Sequence, residues 1–191
     1  PMIRGVERIV KSLADFKVSA VFVSYSKYDD DEALSARLDS ILEHNVDGVV
    51  LGPFHYMGLS VNILRKLQER QIPTVFVLSD LGNAQKLACV TIDAELSGKA
   101  AAELASLVLN EDETTAVFVG NKDVEEHRLK ADSFVSRVKT LGFSSTGVYE
   151  TQEEQTLAYQ LTISLLQKNP KLRLIYVATG NSVAVCRAVC D

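Results

Sequence analysis

The chain has 191 residues, of which 47% are hydrophobic, so it can bury a sizeable core as one large domain or two small ones. Its 25 Asp and Glu residues outnumber its 20 Lys and Arg residues, and no basic run is long enough to follow a phosphate backbone, which argues against nucleic-acid binding by this chain. No apolar run approaches the roughly 20 residues that span a bilayer, so no membrane anchor is predicted either.

Short β-branched runs alternate with amphipathic segments of helical length. The first amphipathic segment places Ile3, Val6, Ile9, Val10 and Leu13 on one helical face. Further helices are predicted at 32–45 and 59–70. Another helix is predicted to begin after the capping residue Asp93, and one more to end near Leu141, before Gly142. Strands are predicted at 18–25, 48–51, 74–78, 89–92, 115–119, 146–149 and 172–177.

The alternation of these elements predicts the fold class. Most of the strands are nearly continuous in apolar residues, which is typical of parallel strands that are buried on both faces. Regular alternation of strand and helix predicts an α/β fold, with parallel sheets flanked by helices. The acidic connection at 109–115 (LNEDETT) predicts a boundary between an N-terminal domain at 1–111 and a C-terminal domain at 112–191.

The two ends of the chain carry an expectation of their own. The chain opens in a predicted helix with no strand before it and closes in another with no strand after it. We therefore expect a fragment, in which the first strand of the N-terminal domain is missing and the C-terminal domain is incomplete.

Candidate ligand-binding residues follow the predicted strands, because ligands of parallel sheets bind beyond the carboxyl ends of the strands. These positions combine aromatic, amide, carboxylate and hydroxyl side chains, which suits a sugar or another polyol. Solvated turns have a similar composition, so the hypothesis rests on the set and not on one member. The strand-end positions include Tyr25, Gly52, Phe54, Ser79, Asp80, Asp93, Asn121, Thr151, Gln152, Thr179 and Asn181.

Signals for catalysis or cofactor binding are poor. The sequence lacks GxGxxG, GxxxxGK[ST], GxSxG and HExxH. Neither His55 nor His127 has a nucleophilic partner nearby in the sequence, and the acidic triplet at 29–31 is explained by the dipole of the helix that follows it. We therefore predict that the chain is not an enzyme, and we assign no catalytic residue, metal or cofactor.

The cysteines bear on the compartment. Cys89, Cys186 and Cys190 form no CxxC pair and have no histidine at a metal-binding spacing. Three free thiols fit a reducing compartment, which predicts a cytoplasmic location.

Several segments together resemble the effector-binding core of the lactose-repressor (LacI) family of transcriptional regulators and its relatives, the periplasmic sugar-binding proteins. The pieces are short and degenerate, but they run through nearly the whole chain in the right order. They are 46–53 (VDGVVLGP), 72–76 with Ser79 and Asp80, 90–93 with Gly98 and 100–102, 117–120, Arg128 with Phe134, and 175–178 with Gly180 and Asn181.

The resemblance implies a two-lobed module that closes on a small effector, usually a sugar or nucleoside, in the cleft between its lobes. In a regulator, closure would alter how a homodimer presents separate N-terminal helix-turn-helix domains to operator DNA, and the apolar face of the first helix would contribute to the dimer interface. The alternative is a periplasmic sugar-binding receptor of an ABC transporter.

The resemblance also implies roles for single residues. Arg128 stands where the family has an arginine that binds ligand hydroxyls, although a surface ion pair with Glu125 is the alternative. The family has an acidic residue after its fourth parallel strand. Asp80 lies beside that position, and the alignment leaves a one-residue ambiguity between Ser79 and Asp80. Asn181 stands where many members carry a ligand-binding Asp or Asn, and it can equally cap the last helix.

Overall fold

The computed structural model describes residues 2–24, 31–52, 57–80 and 84–191. Within these ranges the chain alternates helices with short strands. The helices are α1 (Met2–Ser12), α2 (Asp31–Glu43), α3 (Met57–Glu69), α4 (Ala94–Ser106), α5 (Glu125–Thr140), α6 (Gln155–Lys168) and α7 (Ser182–Cys190). The strands are β1 (Val49–Leu51), β2 (Thr74–Val77), β3 (Ala88–Val90), β4 (Thr114–Val119), β5 (Ser144–Glu150) and β6 (Leu172–Val177).

The chain divides into two compact units, Pro1–Val90 and Thr91–Asp191. Helix α4 belongs to the second unit because Ala102 and Ala105 on it share a core with Ala131 and Phe134 on α5. The acidic connection between α4 and β4 therefore lies inside this unit, and the compact units divide before it. The assignment of 1–111 and 112–191 to the lobes of a larger fold stays a sequence-based prediction.

The first unit contains a parallel sheet in the order β1-β2-β3. One face of the sheet packs on α3, where Leu51 and Phe76 contact a core that includes Ile63 and Leu67. On the other face Val50 and Val90 are both 65% exposed. In the described part of this unit, one face of the sheet carries the core.

The second unit contains a parallel sheet in the order β5-β4-β6. The central strand β4 is buried on both faces. Toward α4 and α5, Val117 and Val119 share a core with Phe134, whose ring stacks on Tyr176 with 4.7 Å between centroids. Toward α6 and α7, Phe118 shares a second core with residues of both helices. The two pairs of helices fix β4, and so they fix the position of its carboxyl end.

The ends of two helices form as the sequence predicts. Asp93 precedes α4, and its Oδ1 accepts a 2.9 Å hydrogen bond from the Leu96 N–H. Gly142 follows α5 with a φ of 90°, a left-handed conformation that glycine adopts without strain.

The predicted α/β class, with two lobes and parallel sheets flanked by helices, is confirmed. Two details were wrong. Residues 18–24 form no strand, and Val21 and Phe22 lie exposed, because a β-branched run needs a neighbouring strand to bond with. Burial on both faces holds for β4 but not for β3, which lies at the edge of its sheet.

Candidate functional site

The carboxyl ends of β4, β5 and β6 meet at one edge of the second sheet, where we define the strand-end site as Gly120, Asn121, His127, Thr151, Glu153, Thr179 and Asn181. Thr151 Oγ1 lies 2.7 Å from Asn181 Oδ1 and 3.0 Å from the carbonyl oxygen of Val119. Thr179 Oγ1 lies 3.4 Å from the same Asn181 oxygen. Side chains that follow β5 and β6 therefore converge on one amide.

Asn181 is almost completely buried, with 1% of its surface exposed. It occupies the position before α7, yet its side chain makes no capping hydrogen bond to that helix. Asn181 is therefore the N-cap residue of α7 by position, while its side-chain oxygen accepts the 2.7 Å hydrogen bond from Thr151 instead of one from the helix. Its role in ligand binding stays a prediction.

His127 lies in the first turn of α5 and faces the same edge. Its Nδ1 accepts a 3.3 Å hydrogen bond from the Asn121 N–H, so this nitrogen carries no proton. Burial lowers the pKa of His127, and the nearby Glu153 carboxylate only partly opposes the shift. At neutral pH the imidazole is therefore uncharged, and its Nε2 lies 3.9 Å from Glu153 Oε1.

Glu153 follows β5 in a turn with unusual backbone geometry. Gln152 and Glu153 have φ values of 52° and 56°, and two consecutive left-handed residues other than glycine are uncommon. The turn directs the Glu153 carboxylate across the end of β4, where Oε2 accepts a 2.7 Å hydrogen bond from Thr179 and Oε1 lies 3.9 Å from His127 Nε2. Strained backbone of this kind is concentrated at functional sites.

The polar groups of the strand-end site are hydrogen-bonded to one another. The hydroxyls of Thr151 and Thr179 donate to side-chain oxygens. His127 Nδ1 accepts from the backbone N–H of Asn121, which is not a nucleophile. In the part of the chain that is described, no group of three His, Cys, Asp or Glu side chains could hold a metal ion. The strand-end site therefore contains both hydrogen-bond donors and hydrogen-bond acceptors, which matches a polyol.

The first unit has polar groups of its own after β2. Leu78 has a φ of 74°, and the Ser79 N–H bonds to the Val77 carbonyl at 3.0 Å, which makes a strained three-residue turn. Beyond it, Asp80 Oδ1 lies 2.8 Å from Lys86 Nζ. Cys89 Sγ lies 3.8 Å from the Ser79 carbonyl oxygen. Ser79 and Asp80 therefore lie together at a strand end, as the sequence predicts.

The other predicted ligand-binding residues are distributed differently. Arg128 is half exposed, and its guanidinium lies 3.9 Å from Glu125 and 3.7 Å from Asp132, on its own helix. The surface ion pair with Glu125, which was the alternative to a ligand contact for Arg128, is therefore present. The Asp93 carboxylate caps α4. Gly52 follows β1 directly, and Tyr25 and Phe54 lie outside the described residues.

The sequence matches the periplasmic binding protein domain family over residues 1–191. The chain belongs to that family. No sequence among the curated proteins matches it. In the described residues of this family member, no helix is long and apolar enough to cross a membrane.

Solved structures share the fold of this periplasmic binding protein domain. A glucose-galactose binding protein from Geobacillus stearothermophilus superposes with a TM-score of 0.82 and 20% identity, over 97% of this chain and 67% of its own. An ABC transporter solute binding protein from Agrobacterium vitis, with bound D-fucose, gives a TM-score of 0.76 and 19% identity, over 98% and 67%. The fructose-binding periplasmic domain of a hybrid two-component system gives 0.78 and 13%, over 98% and 63%. The chain thus spans about two thirds of the length of these structures.

Sequence reasoning missed Gly120, His127 and Glu153 as members of the strand-end site. Glu153 was not singled out because Gln152, one residue earlier, is the nearer strand-end position. The left-handed turn that brings Glu153 across the end of β4 contains no glycine that would predict it from the sequence. His127 is considered in the sequence analysis only as a general base, a role for which it has no nucleophilic partner nearby in the sequence. Its position two residues after the first residue of α5 was the available signal, since the first turn of a helix after a parallel strand lies at the carboxyl edge.

Proposed function

We propose that this chain is a non-catalytic module that binds a small polyhydroxylated ligand, such as a sugar, at the strand-end site. The observation that carries the proposal is that the hydrogen-bonded Thr179 and Glu153, of which Glu153 is 39% exposed, meet at the carboxyl edge of the sheet beside the buried Thr151–Asn181 pair. A preformed cluster holds its polar groups in place before the ligand arrives, which reduces the entropic cost of binding. The structural neighbours include a glucose-galactose binding protein, a solute binding protein with bound D-fucose and a fructose-binding domain, which supports the ligand class.

The proposal is tested by thermal unfolding of the chain with a panel of pentoses, hexoses, disaccharides and nucleosides. A ligand present at 100 times its Kd adds about 2.7 kcal/mol to stability, which is a readily measured shift. Hits are then titrated by calorimetry against a Thr179→Val variant, which removes a hydroxyl from the strand-end site. If no compound of the panel raises the unfolding temperature, the proposal is wrong.

An Arg128→Ala variant separates the strand-end site from the role that the family resemblance implies. Arg128 pairs with Glu125 and Asp132 on its own helix, so its removal leaves the hydrogen bonds of the cluster in place. Weaker binding in Thr179→Val with unchanged binding in Arg128→Ala supports a ligand held by the cluster. Weaker binding in Arg128→Ala supports the arginine contact implied by the resemblance.

For the whole protein, we propose the effector-sensing part of a cytoplasmic LacI-type regulator that acts as a homodimer and contacts operator DNA through a separate domain. The three free cysteines support a reducing compartment, and the residues of the lactose-repressor resemblance support the family role. Fractionation of cells that make the whole protein, with sedimentation of the purified product, tests compartment and dimer together.

A transport receptor is the second candidate, because one of the neighbours described above, from Agrobacterium vitis, is an ABC transporter solute binding protein. Recovery of the whole protein outside the cytoplasm as a monomer supports the receptor. Recovery in the cytoplasm as a dimer supports the regulator.

A further inference from the structure

The Glu153 carboxylate is held in place by groups from three strand ends. Its Oε2 accepts the 2.7 Å hydrogen bond from Thr179, after β6, while the left-handed turn after β5 fixes its backbone. A Cβ built on Gly120, after β4, would overlap Glu153 Oε1, so the glycine provides the space that the carboxylate occupies. The side chain is nonetheless 39% exposed, which leaves it open to a ligand from solvent.

The charge of this carboxylate is not compensated by a permanent cation in the described residues. Its one basic neighbour within ion-pair distance there is His127, whose Nδ1 is occupied as an acceptor and whose Nε2 is 3.9 Å away. Glu150, at the end of β5, adds a second carboxylate nearby in the chain, and its Oε1 accepts from the Lys122 N–H. Arg128 is turned toward Glu125 and Asp132. In the described residues, the Glu153 carboxylate therefore has no Lys or Arg side chain within ion-pair distance.

We infer that Glu153 is a specificity-determining residue of the strand-end site. Its carboxylate accepts a hydrogen bond from an ammonium group of the ligand, and the site therefore selects an amino sugar over neutral and anionic sugars. This inference rests on the proposed function. An ionised carboxylate only accepts hydrogen bonds, so it pairs with an ammonium or a hydroxyl but has no proton to offer a phosphate or carboxylate. A hydrogen bond between charged partners is roughly twice as strong as one between neutral partners.

The test is calorimetric titration of the chain at neutral pH with three sets of probes. The first set contains D-glucosamine, D-galactosamine and D-mannosamine, the second their neutral parent hexoses and N-acetyl derivatives, and the third the corresponding hexose 6-phosphates and uronic acids. We expect at least one amino sugar to bind about tenfold more tightly than its parent, which corresponds to about 1.4 kcal/mol, and the anionic sugars to bind more weakly than the parent.

Two substitutions at Glu153 isolate its charge. Glu153→Gln keeps the size and the acceptor oxygen, and it should reduce the preference for the amino sugar to about twofold or less, since the charge-assisted bond is lost. Glu153→Asp keeps the charge on a shorter side chain and should retain part of the preference. Glu111→Gln, at an exposed position in the connection before β4, is the matched control and should leave the preference unchanged.

The outcomes separate this inference from the proposed function. If neutral sugars bind as tightly as amino sugars, or if Glu153→Gln keeps the preference, the inference is wrong and the proposed function stands. If hexose phosphates bind most tightly, the inference is wrong because the site selects anions. If no sugar of any charge binds, both fail. Circular dichroism and the unfolding midpoint of each variant establish that a lost preference does not come from a lost fold.

Discussion

Thr151 and Asn181 join the end of β5 to the start of α7 through a 2.7 Å hydrogen bond between side chains that are 0% and 1% exposed. Thr151 also reaches the last carbonyl of β4, and the Thr151 N–H bonds to the same oxygen at 2.8 Å. One threonine thus connects three elements at the carboxyl edge of the sheet. A buried polar pair of this kind is costly to break, because an unpaired group in the interior has no water to replace its partner.

Thr151→Val should destabilise the chain by about 1–3 kcal/mol, the usual cost of leaving a buried polar group with less than its full hydrogen bonding. Valine has nearly the same shape as threonine, so the change removes the hydroxyl without opening a cavity. Thr156→Val, on the exposed side of α6, is the matched control and should change stability by less than about 0.5 kcal/mol. Urea unfolding measures both. Equal effects of the two substitutions would contradict a structural role for the Thr151 hydroxyl.

Phe134→Ala should destabilise the chain by about 3–5 kcal/mol, since it removes a fully buried ring from the core between α5 and the sheet. The ring also loses its stacking on Tyr176. Phe16→Ala is a control of the same residue type, because Phe16 is 77% exposed, and it should cost less than about 0.5 kcal/mol. Chemical denaturation followed by circular dichroism makes the comparison. A small effect at Phe134 would mean that α5 does not pack on the sheet as described.

Gly98→Ala tests the close approach of α4 to α5. A Cβ at Gly98 would overlap the Ser133 hydroxyl and the Lys130 carbonyl, and it would lie 3.0 Å from the Phe134 nitrogen. Because two of these atoms belong to the backbone of α5, the helices must separate, and we expect a loss of about 1–3 kcal/mol. Gly5→Ala in α1 meets nothing within 4 Å and should gain about 0.5–1 kcal/mol from helix propensity. Thermal unfolding of both variants should show shifts of opposite sign.

The sequence was sufficient for the fold because its local signals agree with one another. Asp93 before α4 and Gly142 after α5 mark helix ends by short-range chemistry that any context preserves. The run at 18–24 shows the limit of this reasoning, since its β-branched residues favour a strand but a strand requires a neighbour that the local sequence does not encode.

The candidate site could be predicted only as a set of positions. That Thr151, Thr179 and Asn181 follow strands could be inferred, and parallel pairing then brings them to one edge. The direction of each side chain could not be inferred. Arg128 has the residue type that a sugar site needs, yet its guanidinium forms ion pairs with Glu125 and Asp132 on its own helix. Glu153 reaches the site through a left-handed backbone conformation, which is uncommon for residues other than glycine.

Cys89 should be the slowest of the three cysteines to react with iodoacetamide in the folded chain. Burial raises the pKa of its thiol and the Asp80 carboxylate raises it further, against a smaller opposing effect of Lys86, so less of the reactive thiolate is present. Cys186 and Cys190 are exposed on α7. Mass spectrometry of peptides after timed alkylation gives the three rates.

Asp80→Asn extends the thiol experiment to the first unit's strand end. Removal of the carboxylate charge lowers the pKa of Cys89, so its alkylation should become faster, whereas the rates at Cys186 and Cys190 should not change. An unchanged rate at Cys89 would show that Asp80 does not lie beside the thiol.

His127 should make the stability of the chain depend on pH in a defined direction. Burial lowers its pKa below the ordinary value of 6.5, although Glu153 and Glu126 oppose the shift and Lys130 adds to it. The unfolded chain therefore binds a proton at a higher pH than the folded chain does. Stability contributed by the neutral imidazole is fully present above about pH 6.5 and is lost as the pH falls from there through the lower, folded pKa.

Substitution of His127 isolates this contribution from the carboxylates that titrate elsewhere. The free energy of unfolding of the wild-type chain minus that of His127→Gln should fall as the pH is lowered through the window that begins near 6.5, and it should be constant above it. Thr156→Val, at an exposed position in α6, changes no titratable group and serves as the control, whose difference from the wild-type chain should not change across the same window. Urea unfolding at a series of pH values supplies these differences. A difference that rises as the pH falls would mean that the folded chain holds the His127 proton more tightly than the unfolded chain, and His127 would then be a charged partner of Glu153.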